Sequence, residues 1–170
     1  SAREPAAALL YNQAFPVDKR GNAVWRNRML FAEIFAYDLP STLDFGVQVP
    51  ESGVVEGLPE HYHVALHATS RDSKLWPLEN WLALLKRLHE DNGAAVLLPW
   101  GNETEKERAE AIAAKLPFAQ VCAKMNLLQA AYVLQQADSI IGVDTGLLHL
   151  ANALDKPLVG IYTDSDPVKT

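Results

Sequence analysis

Short apolar or β-branched runs recur along most of the chain, at Tyr62–His67, Ala94–Leu98, Phe118–Cys122, Ser139–Val143 and Leu158–Tyr162. Their length suits strands, and flanking turn residues bound them. Between them, apolar positions return at helical spacing over Leu78–Asp91, Glu103–Leu116, Leu127–Ala137 and Gly146–Leu154. Strand and helix therefore alternate, which implies βαβ units and an α/β fold with a Rossmann-like, doubly wound parallel sheet.

The beginning of the chain reads differently. Helical spacing over Ala6–Phe15 and Ala23–Tyr37 predicts two helices, the second with Trp25, Met29, Leu30, Ile34 and Phe35 on a buried face. From Asp38 to Gly57 the text shifts to Pro, Ser, Gly and Val, a connecting segment with one strand candidate at Val47–Val49. A boundary is expected near residue 45.

Composition narrows the class of protein. With 170 residues, 49% of them hydrophobic and 21% charged, the chain has enough apolar side chains to build a core and is not a disordered tail. Its net charge is −6 and its 15 Lys and Arg are scattered, so it lacks the footprint of a general nucleic-acid binder. The single Cys122 cannot form an internal disulfide and no Cys and His framework has metal-binding spacing, so a reducing, cytoplasmic setting is expected. Apolar runs fall short of the roughly 20 residues of a membrane span, and no signal peptide opens the chain. The sequence begins at Ser1 rather than Met and stops soon after a strand-like run, so both ends are expected to be cut from a longer chain.

In open α/β sheets, ligands bind beyond the carboxyl ends of the strands. After the first run, the loop from His67 to Pro77 offers Thr69, Ser70 and Lys74 ahead of a helix. That set satisfies a phosphate, although Thr69 and Ser70 serve equally well in local turns. After the second run, Glu105 stands in a first helical turn, where an acid either complements the helix dipole or accepts hydrogen bonds from a ribose diol. After the third, Met125 is either a gap filler or a contact for a base. After the fourth comes Gly142-Val143-Asp144-Thr145-Gly146-Leu147-Leu148-His149. Thr145 can cap the helix, and Gly146 lets an anion approach the free N–H groups, which in chemical terms is a pyrophosphate site. Asp144 either caps the helix or faces the ligand. His149, one turn in, is either a half-buried helix residue or a contact to phosphate or sugar hydroxyl. Neither G-x-G-x-x-G nor a G-K-[ST] loop is present, so dinucleotide and P-loop readings lack their fingerprints. Asp164-Ser165-Asp166 spells D-x-D, which binds a metal in one class of glycosyltransferases but is commoner as a turn.

The loop His67-Ala68-Thr69-Ser70-Arg71-Asp72-Ser73-Lys74-Leu75-Trp76-Pro77 and the helix Asp144-Thr145-Gly146-Leu147-Leu148-His149, separated by Leu98-Pro99-Trp100-Gly101, resemble the lipopolysaccharide heptosyltransferases, glycosyltransferase family 9. Order and spacing match over nearly the whole chain. The loop is closer to type I than to type II, whose equivalent stretch is glycine-rich and begins P-G-A. The resemblance implies a GT-B enzyme, two Rossmann-like domains with the active site between them, of which this chain is the C-terminal, donor-binding half. Residues 46–170 would be the nucleotide-sugar domain, and residues 1–45 the helices and linker ending the other, as Ala2-Arg3-Glu4-Pro5 and Arg26-Asn27-Arg28 resemble that region.

The same resemblance implies that Thr69, Ser70 and Lys74 hold the pyrophosphate, with Lys74 offsetting charge on departing ADP. It puts Glu105 at the ribose, Met125 beside adenine, and Asp144, Thr145, Gly146 and His149 on the phosphate and heptose side. It further implies ADP-heptose as donor, Kdo of the lipid A inner core as acceptor, inversion, no metal, no cofactor and a peripheral place at the cytoplasmic side of the inner membrane. The general base is expected in the first domain, so no catalytic residue is expected in this chain. One departure stands out: Tyr162-Thr163-Asp164-Ser165-Asp166-Pro167 replaces the family's Y-G-P-T-D-P and alters the local turn. The alternatives are heptosyltransferase II, another GT-B nucleotide-sugar transferase, or a non-catalytic nucleotide-binding module.

Overall fold

The five apolar runs become the five strands of one parallel sheet: β1 (Tyr62–Leu66), β2 (Ala95–Leu98), β3 (Ala119–Val121), β4 (Ser139–Val143) and β5 (Leu158–Ile161). The structure, a computed structural model, describes residues 9–18 and 20–167. The strand order is β3-β2-β1-β4-β5, so the chain starts mid-sheet, winds out to β3 and returns beside β1 for β4. The reversal between β1 and β4 opens the crevice in which such sheets bind ligands.

Helices cover both faces because side chains alternate along each strand. Ala65, Val96, Leu98, Ile141 and Val143 face one way, into a core with Trp81 and Leu85 of α2 (Leu78–Asn92) and Ala109 and Ile112 of α3 (Glu103–Ala113). Tyr62, Val64, Leu66, Leu97 and Ile140 face the other, toward Val133 and Leu134 of α4 (Leu127–Gln136) and Leu148 and Ala151 of α5 (Gly146–Ala153). Burying a side chain the size of Leu85 contributes about 1.5–3 kcal/mol. Gly142 lets β4 and α5 sit this close: a Cβ there would lie 2.7 Å from Leu66 Cβ and 3.3 Å from Leu148 Cδ1.

The helix starts at the carboxyl rim are built unequally. Asn102 caps α3 by accepting the Glu105 N–H, and Asn126 with Gln129 closes a capping box on α4. At α5, Thr145 occupies the cap position but its side chain makes no capping bond. The expected threonine cap is therefore not formed, and the first amides of α5 have no side chain to satisfy them. No helix among the described residues is long and apolar enough to cross a membrane.

Three local expectations are corrected. In place of a helix over Ala6–Phe15, Leu9 and Leu10 form a single 3-10 turn and residues 11–18 are non-helical, while Ala6–Ala8 lie outside the described residues. Leu9 and Leu10 are 88% and 84% exposed, and a short helix that buries nothing is not stable on propensity alone. The second helix does form, as α1 (Ala23–Phe35), capped by Asn22, but Trp25, Ile34 and Phe35 are exposed and Ala32 is its buried residue. Periodicity dictates a helix, whereas burial depends on a second surface. Val47–Val49 forms no strand, because no neighbouring strand pairs with it, and Val47 is exposed. Two 3-10 turns, Glu51–Gly53 and Asp72–Lys74, carry too few residues to show a period. The chain divides into two compact units, Ser1–Leu43 with Asp166–Thr170 and Asp44–Ser165. The second contains the whole sheet.

Candidate functional site

At the carboxyl ends of the strands lie two cavities that share Glu105 and Thr145 in their walls. One, about 310 Å³, is mainly apolar, with Leu66, Pro99, Trp100, Met125 and Leu147 around it. The other, about 370 Å³, is polar and is walled by Thr69, Ser70, Lys74, Glu105, Asp144, Thr145, Gly146 and His149. All nine residues singled out from the sequence thus border one or both cavities. They come from the four segments that follow β1, β2, β3 and β4, gathered because those strands all end at this rim.

Asp144 organises the polar cavity. It ends β4 almost fully buried, 7% exposed, and its Oδ2 accepts from Lys74 Nζ at 2.5 Å and from Ser165 Oγ at 2.7 Å. Its Oδ1 faces His149 Nε2 at 3.3 Å, and its carbonyl accepts from Thr69 Oγ1 at 3.0 Å. Burial by itself would raise the carboxyl pKa. The hydrogen bonds from Lys74 and Ser165, the Lys74 charge and the His149 contact outweigh burial and hold it below the ordinary carboxylate value. Asp144 is therefore an ionised, fully engaged acceptor, poor at taking a proton and free of the α5 cap. Nearby, burial and the Asp144 charge raise the Tyr162 pKa.

Lys74 is 19% exposed and has three donors, of which Asp144 engages one. Beside it, Gly146 begins α5 with open space where a Cβ would be. An ammonium ion, the Ser70 hydroxyl and an uncapped helix start make a receptor for an anion of phosphate type, while the Thr69 hydroxyl gives its one proton to the Asp144 carbonyl and fixes the loop beside them.

Glu105 sits between the cavities, its Oε2 accepting the Gly101 N–H at 2.7 Å. A Cβ on Gly101 would lie 3.2 Å from that oxygen, so the glycine leaves room for the carboxylate. Glu105 lies in the first turn of α3, where an acid complements the helix dipole, and it also borders both cavities. Met125 likewise packs against the core below while lining the apolar cavity. Trp100 donates from Nε1 to the Cys122 carbonyl at 2.7 Å, which fixes its ring at the cavity wall. Burial pushes the Cys122 thiol up to about 11, so it is inert there.

Several contributors were not legible as site residues. Arg108 donates Nε to the His67 carbonyl at 3.1 Å and Nη2 to the Trp76 carbonyl, bracing both ends of the loop that carries Thr69 and Lys74. His67 is completely buried, borders the apolar cavity, and neither ring nitrogen has a hydrogen-bond partner. Burial and the Arg108 charge push its pKa down to about 4, against a weaker pull from the Pro99 backbone that does not reach hydrogen-bond geometry. Of the D-x-D run, Asp164 accepts from Ser73 and Ser165 serves Asp144. Among the described residues no group of three or more His, Cys, Asp or Glu is arranged to hold a metal ion.

The family model described as glycosyltransferase family 9 (heptosyltransferase) matches residues 1–170. The chain is similar to lipopolysaccharide heptosyltransferase 1 of Escherichia coli strain K12, with 41% identity over 171 residues, covering 98% of this chain and 52% of that protein. It is also similar to two solved structures of E. coli heptosyltransferase WaaC. The one with ADP has a TM-score of 0.83 at 41% identity, covering 98% of this chain and 54% of that one. The one with ADP-2-deoxy-2-fluoro heptose has a TM-score of 0.82 at 40% identity, covering 98% and 53%. The chain spans about half the length of the curated relatives it matches.

Proposed function

The chain belongs to glycosyltransferase family 9, the heptosyltransferases, and from that premise we propose that it is the donor side of a lipopolysaccharide heptosyltransferase of type I and binds ADP-heptose. The observation that carries this reading is the convergence of Thr69, Ser70, Lys74, Glu105, Met125, Asp144, Thr145, Gly146 and His149 on two cavities at the strand ends that share Glu105 and Thr145 as walls. The bound ADP and heptose analogue of the two WaaC structures support the same ligand class.

In this reading adenine enters the apolar cavity beside Met125 and Trp100, and the ribose hydroxyls meet Glu105. The diphosphate lies over the uncapped start of α5, held by Lys74 and Ser70, with Thr69 beside it holding its loop to the Asp144 carbonyl. Lys74 stabilises the charge that builds on ADP as the glycosidic bond breaks, an electrostatic role that needs no metal. Asp144 and His149 border the heptose. Asp144 is too strongly engaged to deprotonate an acceptor, so the general base of an inverting transfer to Kdo comes from outside these residues. We place the donor domain over residues 46–170, after a segment over 1–45 that carries α1. We assign the parent activity to the cytoplasmic side of the inner membrane, where its lipid acceptor would be reached.

Titration calorimetry of the chain with ADP-heptose, ADP and UDP tests the proposal. Binding of ADP-heptose and ADP with UDP much weaker is expected. Preference for UDP would point to a different nucleotide-sugar transferase, and no nucleotide binding to a module without a donor site.

A further inference from the structure

The run Thr163-Asp164-Ser165 makes contacts that the donor-site reading does not use. In the sheet β4 lies between β1 and β5, and the loops that follow those two strands join across its end. Ser73 Oγ donates to Asp164 Oδ2 at 2.6 Å, and Thr163 Oγ1 donates to the Ser73 carbonyl at 3.0 Å. The next residue, half-buried Ser165, donates to Asp144 Oδ2 at 2.7 Å, the same oxygen that receives Lys74 at 2.5 Å.

Two donors on one carboxylate oxygen compete for its charge. Ser165 draws density from Oδ2, so Asp144 cancels less of the Lys74 charge and repels an incoming anion less. Without that hydroxyl, Oδ2 would be left to Lys74 alone and Asp144 would cancel more of the ammonium charge at the cavity wall. Resting on the donor-site reading above, we propose that Ser165, seated by the Ser73–Asp164 bridge, is a positioning residue for the diphosphate. It acts through Asp144 to set how much of the Lys74 charge reaches the ligand. Ser165 itself takes no part in bond making.

A ligand with the nucleoside but no phosphates separates this role from a general effect on the fold. We expect Ser165→Ala in the whole chain to weaken ADP binding about three- to tenfold, the range of one hydrogen bond, with adenosine binding unchanged. Ser165→Thr, which keeps the hydroxyl, should restore ADP binding. Asp164→Ala, which releases the bridge but leaves Ser165, should give a smaller loss of the same sign, and stands in should Ser165→Ala fail to fold. Equal losses for ADP and adenosine, unchanged ADP affinity in Ser165→Ala, or no rescue by Thr would overturn the assignment. A wild-type chain that binds adenosine and ADP equally would overturn the donor-site reading instead, since the phosphates would then gain nothing from Lys74.

Discussion

The two ends of the sheet carry the same kinds of side chain in opposite states. At the amino end, His63 is 5% exposed, and its ring accepts from Asn92 Nδ2 at 3.0 Å and donates to Ser139 Oγ at 2.8 Å. His89 bonds the Ala94 carbonyl at 2.8 Å and stacks on Phe118 at 3.9 Å. At the carboxyl end, His67 is fully buried with neither nitrogen partnered, and His149 is half exposed with one long contact to Asp144. Helix starts at that rim differ too, with α3 and α4 capped and α5 not. The amino end satisfies its polar groups internally and is finished structure. The carboxyl end keeps donors and acceptors in reserve, and buried polar groups are left so only where something else is gained.

The largest expected effect tests the cost of that reserve. His67 has a folded pKa of about 4 against 6.5 when free, so the unfolded chain binds more protons between those values. Stability from this residue is complete above about pH 6.5 and is lost as the pH falls toward 4, by up to about 3 kcal/mol. Urea unfolding across that range should show the loss in the wild type, and His67→Leu should flatten it while leaving stability near neutrality within about 1 kcal/mol. Identical acid slopes in the two proteins would mean that the buried ring is not what separates the two ends.

Next in size is Lys74→Ala, which removes the charge of the open rim. ADP affinity should fall about tenfold or more by calorimetry, the equivalent of a charge-assisted contact. An unchanged affinity would take Lys74 out of the site. The smallest effect sharpens the contrast from the other side. His63→Ala should cost about 1–2 kcal/mol in unfolding experiments, from two broken hydrogen bonds and a small void, and leave ADP affinity unaltered. A shift in ADP affinity would show that the amino end is coupled to the rim.

The strands were legible because each is a continuous apolar run, and β4 matches its sequence reading residue for residue. The others lose a residue at one or both ends. The helices on the sheet were legible for a related reason: their period and the sheet that covers them agree. Where no covering surface meets the pattern, as at Leu9, Leu10 and Phe35, the pattern over-predicted order or burial. In the site, the residues that sequence could name are those beside a strand end, since topology alone brings them together. Arg108, Ser165 and the Ser73–Asp164 pair act across the sheet through contacts that no local spacing encodes. Thr145 shows the converse: its position and type promised a cap, and the fold leaves the bond unmade.

The central claim is that the donor occupies the carboxyl rim of the sheet. Backbone amide chemical shifts recorded while ADP is added test it most directly. The account predicts the largest changes at Thr69, Ser70, Gly101, Glu105, Met125, Gly146 and Leu147, with His63, Asn92 and Ser139 unmoved. Changes gathered around His63 and Ser139, or none at all at saturating ADP, would contradict it.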